Sequence, residues 1–422
     1  MFKMTGAEAR RSNSRIFIAM TVLLAMGLIF GGCGGSSDGP EQPDPTQPTE
    51  TGTVTGVVFM PDGQTPASNA LVGVPANAVG TGSYVPLQTP DTVDEDDWLT
   101  HTFSGADGSF SLAGVPAGTA QIKIVKGQWS RTIAVEVTAD ETTPLPTEET
   151  TLPSTPDEGA PNIAVVTGSF DNMEYVLAKI GLGEVDDGGR LVAGTEQFDL
   201  YSGYAEMGDL LNDPDSLNDY NILFINCGAS TGYASDQGVQ ENLQNFVAQG
   251  GVLYLTDLTF RYVEQVFPGR VEFIGGTGRA GIETDAEVVT DDEIGSYFKN
   301  WLASREALNE DGTVHIGGFA GGWGVIDTVD DSVRVWIRGE VTYSGSASED
   351  ELEATGHRSC QDRHESIPLD SKAWETSVRP LTVSFSHGEG RVLYTSYHTV
   401  HGAGQVDLFP QEIVLAGLVF EM

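Results

Sequence analysis

Positive charge, cysteine and long apolar runs are all scarce in this sequence. Of 422 residues only 21 are Lys or Arg, against 61 Asp or Glu, giving a formal net charge of −40. Such a surface repels phosphate backbones and argues against nucleic acid as a partner. It favours solubility and attracts divalent cations, although plain surface solvation accounts for it equally well. The apolar run from Ile16 to Phe30 holds about fifteen residues, short for a membrane span. There are three cysteines, Cys33, Cys227 and Cys360. If Cys33 belongs to a leader, the other two form one candidate disulfide in an oxidising compartment, or two separate buried thiols.

What is present points to a multidomain chain. The length predicts two folded domains plus linkers, and 39% hydrophobic residues are enough for globular cores. Arg10, Arg11 and Arg15 precede the apolar run, and Gly31-Gly32-Cys33 closes it. This pattern predicts a signal peptide over residues 1–32. A cysteine directly after two glycines resembles a bacterial lipobox, with Phe30 where that motif usually has Leu. The resemblance implies lipidation of Cys33, anchoring to a membrane and a place in the cell envelope. No Asp follows Cys33, which leans towards the outer membrane rather than the inner. Removing the leader leaves 17 basic and 60 acidic residues. Residues 33–52, rich in Pro, Thr, Gln and acid, cannot build a core and read as a tether.

Residues 53–140 read as a small all-β sandwich. Short β-branched strands are predicted at 53–59, 70–74, 100–104, 109–112, 119–125 and 130–137. Pro61-Asp62-Gly63, Ala106-Asp107-Gly108 and Val115-Pro116-Ala117-Gly118 supply the turns. The stretch ADGSFSLAGVPAG, with the preceding VTGVVFMPDGQTP, resembles the carboxypeptidase regulatory-like family. That resemblance implies a prealbumin-like sandwich without catalytic residues. Asp94, Glu95, Asp96 and Asp97 offer oxygen ligands for Ca²⁺, but lack the Gly and terminal Glu of an EF-hand loop, so a solvated acidic loop is the alternative.

Residues 141–160 repeat the Pro/Thr/Glu composition and read as a second linker. From 161 to 422 the pattern changes to α/β. Buried strands are predicted at 162–166, 220–225 and 252–255, with Asp171 capping a helix that ends at Gly181. Further helices are predicted at 236–249, 259–267 and 411–420, and strands at 381–385 and 391–396. The rhythm fails over about 270–380, which reads as a β-rich insertion. The segments YNILFINCG, FVAQGGVLYLTD and GEGRVLYTSYHTVHG resemble the class I glutamine amidotransferase-like superfamily, especially its ThuA-like branch. The resemblance implies a flavodoxin-like sheet with its nucleophile on the turn after VLYL. Here that turn is Thr256-Asp257-Leu258-Thr259, without Cys, Ser or His.

Glutaminase activity is therefore not expected. Asp257 stands where open α/β sheets place ligands, and with His398 and His401 makes a candidate acid/base or metal constellation. His398 matches the superfamily's C-terminal histidine. Cys227 as a nucleophile would need a nearby base and a depressed pKa. The run Gly317-Gly318-Phe319-Ala320-Gly321-Gly322-Trp323-Gly324 permits close backbone approach, a mobile loop or a tight turn. Cys360-Gln361-Asp362-Arg363-His364 offers a metal ligand or a disulfide-anchored loop. The expectation is a non-catalytic envelope lipoprotein whose α/β domain binds a carbohydrate or protein ligand. The alternative is a ThuA-like hydrolase or isomerase acting on carbohydrate through Asp257 and His398.

Overall fold

Alternating β-branched residues open the chain as strands, because such side chains pack well on a half-buried pleated surface. The computed structural model describes residues 50–76, 93–275, 277–319, 322–344, 374–399 and 407–421. The predicted leader, Cys33, most of the tether, Cys360, His364 and His401 lie outside the described residues. Seven strands come first: β1 (Thr51–Val57), β2 (Leu71–Pro75), β3 (Trp98–Phe103), β4 (Ser109–Pro116), β5 (Gly118–Lys126), β6 (Trp129–Val137) and β7 (Thr142–Pro144). They form a three-stranded sheet, β4-β1-β7, and a four-stranded sheet, β3-β2-β5-β6. Val54, Phe110 and Leu112 of the first and Ile122, Ile124 and Trp129 of the second join one apolar cluster.

The expected linker at 141–160 is instead folded onto this unit. β7 pairs in parallel with β1, and helix α1 (Thr147–Thr150) follows. Thr150 Oγ1 donates to the Val57 carbonyl at 2.6 Å, the Leu152 N–H donates to the Phe59 carbonyl at 2.8 Å, and Leu152 is buried. The composition of a linker hid a strand whose backbone completes the ladder of β1.

The remaining strands are β8 (Ile163–Thr167), β9 (Asp199–Ser202), β10 (Ile222–Ile225), β11 (Val252–Thr256), β12 (Val271–Phe273), β13 (Thr277–Gly278), β14 (Thr284–Val288), β15 (Thr313–Ile316), β16 (Ile326–Val329), β17 (Arg334–Ser344), β18 (Trp374–His387) and β19 (Gly390–Thr395). A ten-stranded sheet runs β15-β14-β17-β18-β19-β11-β10-β8-β9, with β13 beside β17. The pairs from β9 to β19 are parallel; those from β19 onward are antiparallel. Among the described residues, the strands of the insertion expected over about 270–380 thus extend the central sheet, apart from β12 and β16, which pair with each other.

The parallel half is apolar on both faces, as strands covered on two sides must be. Ile163, Val165, Ile222, Phe224, Val252 and Tyr254 enter one core cluster; Ala164, Val166, Leu223, Ile225, Leu253 and Leu255 enter another. Helices α2 (Met173–Leu177), α7 (Glu293–Ser304) and α8 (Pro410–Glu421) supply residues to the first, and α3 (Met207–Asn212), α5 (Gln237–Ala248) and α6 (Phe260–Val266) to the second. A short helix, α4 (Pro214–Leu217), lies between α3 and β10. Asp236 caps α5 by accepting from the N–H groups of Gly238 and Val239, which satisfies donors that the first turn leaves free. Among the described residues no helix is long and apolar enough to cross a membrane.

The first cluster also takes in side chains of the seven-stranded unit, so the described residues from Glu50 onward make one compact body. Trp129 lies against Phe420 with ring centroids 4.3 Å apart, and Trp301 Nε1 donates to the Pro66 carbonyl at 3.3 Å. Gly181, at φ 100°, touches the Pro61–Asp62 turn so closely that an added Cβ would lie 2.4 Å from Asp62 N. Asp171 does not cap α2, contrary to expectation. Asn172 holds the cap position, and Asp171 Oδ2 accepts from the distant Thr399 N–H at 2.9 Å. A long-range backbone donor has won the carboxylate that the local sequence offered to the helix.

Candidate functional site

Sheet register brings the chemistry together. Ile225 is level with Leu255 and Val166, and Thr256 is level with Thr395. Cys227, Asp257 and His398 therefore all lie just beyond the carboxyl ends of adjacent parallel strands, where open α/β sheets bind ligands. One ligand-type atom from each of the three lies within 4.8 Å of the others. His398 Nε2 approaches Asp257 Oδ2 to 2.9 Å. Asp257 is fully buried, and His398 is 6% exposed. His401, expected beside them, lies outside the described residues. Cys227 is a buried free thiol, the second of the two expectations for it, while Cys360, the other candidate disulfide residue, lies outside the described residues.

The backbone around the trio is held from several directions. Asp257 has φ 45°, a left-handed conformation that costs a non-glycine residue about 1–3 kcal/mol and clusters at functional sites. It opens the turn between β11 and α6, and its carbonyl accepts from Tyr394 Oη at 3.0 Å. The Cys227 N–H donates to Thr256 Oγ1 at 2.9 Å, and its carbonyl accepts from the Phe170 N–H at 3.1 Å. The His398 N–H donates to the Gly318 carbonyl at 2.8 Å, while Gln411 Nε2 donates to the His398 carbonyl at 3.0 Å. Gly318 is required there, because a Cβ would stand 2.3 Å from that carbonyl oxygen. The glycine-rich run thus serves close backbone approach beside His398.

The electrostatics separate the roles. Burial, reinforced by the Asp257 carboxylate, pushes the Cys227 thiol well up, the opposite of what an activated nucleophile needs. Burial also pushes Asp257 up, with His398 and Cys227 pulling it back. Burial presses His398 down, but Asp257 and Asp171 outweigh it and hold the imidazole above its ordinary value. The Asp257 oxygens and His398 Nε2 are buried without a well-directed hydrogen-bond partner, although Nε2 and Oδ2 stand 2.9 Å apart. Nearby, Asn226 Nδ2 donates to Glu174 Oε2 at 2.8 Å, and burial raises the Glu174 carboxyl.

A crevice of about 370 Å³ opens beside the trio. Its wall includes Gly228 and Leu258, which directly follow Cys227 and Asp257. Phe170, Tyr204, Phe260 and Trp323 line it, and Phe170 and Tyr204 are 59% and 67% exposed. Phe170, Tyr204, Gly228 and Leu258 each come from a segment that follows a different parallel strand. A larger hollow of about 680 Å³ lies over the antiparallel half. Arg334, Arg338 and Arg379 line that hollow, paired with Asp292, Glu287 and Asp327. The acidic loop proposed for Ca²⁺ is an exposed single turn, where Asp94 accepts from the Asp96 N–H as its cap.

No family model and no curated protein matches the sequence. Solved structures similar to this chain include a ThuA-like protein from Bacteroides uniformis, at 11% identity and TM-score 0.34, covering 61% of this chain and 88% of that one. PurLQS from Thermotoga maritima matches at 13% identity and TM-score 0.33, covering 61% and 97%. A β-galactosidase from Bacillus circulans matches at 13% identity and TM-score 0.31, covering 61% and 30%.

Proposed function

We propose that the chain is a cell-envelope lipoprotein, anchored through Cys33, whose α/β body binds a small neutral carbohydrate in the crevice at the ends of β8, β9, β10 and β11. In this reading the seven-stranded unit is a carboxypeptidase regulatory-like, prealbumin-like module, and the body is of the class I glutamine amidotransferase-like type without that superfamily's nucleophile. The observation that carries it is the crevice of about 370 Å³ with Phe170 and Tyr204 exposed at its wall. Aromatic faces stack on the apolar C–H faces of sugar rings, and a few polar groups then fix orientation. The net charge of −40 disfavours anionic ligands.

A panel of defined neutral oligosaccharides, screened by thermal shift and quantified by calorimetry, tests it. Tyr204→Ala should weaken the best ligand about three- to tenfold. An affinity indifferent to Tyr204, or a panel without a single hit, rejects the carbohydrate reading. Feeding labelled palmitate tests the anchor separately, with Cys33→Ala expected to abolish incorporation.

The second reading is a ThuA-like hydrolase or isomerase acting on carbohydrate. The strained Asp257 backbone and its 2.9 Å approach to His398 favour it. Asp257 would serve as the base and His398 as the proton carrier. Asp257→Asn should then abolish turnover of a bound sugar while sparing its affinity.

A further inference from the structure

Cys227, Asp257 and His398 are drawn from three strand ends separated by 30 and 141 positions in the chain, yet they meet at one point. Packing alone does not account for the chemistry of that point. Both oxygens of a fully buried carboxylate and a ring nitrogen beside them lack properly directed hydrogen bonds. Such groups cost roughly 1–3 kcal/mol each when left unpaired, more when charged.

We propose that these three side chains bind a single zinc ion, through Cys227 Sγ, Asp257 Oδ and His398 Nε2. Sulfur, nitrogen and oxygen donors in one set match the ligand classes of zinc. Ligand atoms around a tetrahedral zinc stand about 3.4–3.6 Å apart, given bonds of about 2.0–2.3 Å. Those of the trio lie within 4.8 Å of one another, with the His398–Asp257 pair at 2.9 Å, so shifts of side-chain size bring three donors to zinc distance and leave the fourth position to water. A thiolate and a carboxylate together carry two negative charges, which a divalent ion cancels in a place where isolated charge is costly. Calcium and magnesium prefer all-oxygen shells and do not take a thiolate.

Two ligands are followed at once by residues of the crevice wall, Gly228 and Leu258, so the ion borders the crevice. Second partners for the ligand-bearing segments are in place. Thr256 receives the Cys227 N–H, Gln411 holds the His398 carbonyl and Tyr394 holds the Asp257 carbonyl. These contacts hold the backbone from which the ligand side chains project. The zinc proposal does not depend on a sugar occupying the crevice.

The test uses the full chain, stripped with a chelator and titrated with Co²⁺ as a spectroscopic stand-in for zinc. One equivalent should produce a thiolate-to-cobalt charge-transfer band in the near ultraviolet and strong visible bands, both erased by zinc. Cys227→Ser should lose the charge-transfer band. His398→Gln should keep it with an affinity at least about tenfold lower. Asp94→Asn with Asp96→Asn, at the exposed acidic turn, should change nothing, which distinguishes the site from adventitious binding to the acidic surface. A chain with no charge-transfer band at any Co²⁺ concentration overturns the proposal, whether or not the variants fold. So does a band that survives in Cys227→Ser. Sugar binding, read by Tyr204→Ala, stands or falls on its own measurement.

Discussion

Lys179→Met should be among the most destabilising single changes in the body, and its cost should disappear in acid. Lys179 Nζ meets both oxygens of Glu412, at 2.8 and 3.1 Å, with the two side chains 5% and 0% exposed. Burial already raises the Glu412 carboxyl above its ordinary value of 4.5, and Lys179 is the main group opposing that rise. Without the lysine, Glu412 must remain charged and unpaired or take up a proton. Protonating a carboxyl of ordinary pKa 4.5 at pH 7 costs about 3.4 kcal/mol, at 1.36 kcal/mol per unit. That agrees with the roughly 3–5 kcal/mol found when one partner of a buried pair is removed. At pH 5 the same protonation costs only about 0.7 kcal/mol. The sign follows from linkage: a raised folded pKa favours the protonated folded state, so stability is present below 4.5 and lost as pH rises through the folded value. Urea unfolding followed by tryptophan fluorescence, at pH 7 and pH 5, measures both numbers. Adding Glu412→Leu to Lys179→Met should recover most of the loss at pH 7. A single-variant cost under about 1 kcal/mol at pH 7, or one unchanged at pH 5, would refute the reasoning.

The other stability predictions concern backbone and imidazole. Gly181→Ala should cost more than about 1 kcal/mol in the same assay, since φ 100° and the 2.4 Å approach to Asp62 N leave no room for a Cβ; a neutral result would mean the turn yields freely. His398 has a raised folded pKa, so its contribution is present below 6.5 and fades as pH rises through the folded value. The stability gap between the stripped native chain and His398→Gln should accordingly narrow from pH 6 to pH 9, and a widening gap would contradict the assigned charges.

Much of the α/β body was legible because its strands are continuous apolar runs and its helices keep a clean period. YNILFI, VLYL and RVLYTS became β10, β11 and β19 within a residue or two at each end. The strand β9 was missed because Asp-Leu-Tyr-Ser at a sheet edge shows neither an apolar run nor alternation against polar neighbours. β7 was missed for the complementary reason: its Thr-Thr-Pro contributes backbone pairing rather than apolar side chains. The Asp257–His398 encounter followed from strand ends, whereas Cys227, read as one half of a candidate disulfide or as a buried thiol, was not placed beside them. Counting two residues past Ile225 and two past the paired Leu255 would have placed the thiol beside the carboxylate. Asp171 was beyond local reading, because its partner Thr399 stands 228 residues away.

The chain enters its folded body through β1, which is clasped by β4 on one side and β7 on the other. Tension arriving from the segment before Thr51 would act along that strand's axis. It would have to slide two ladders of hydrogen bonds at once rather than peel one rung at a time. The returning segment at 142–152 therefore works as a clamp on β1, on the side opposite β4.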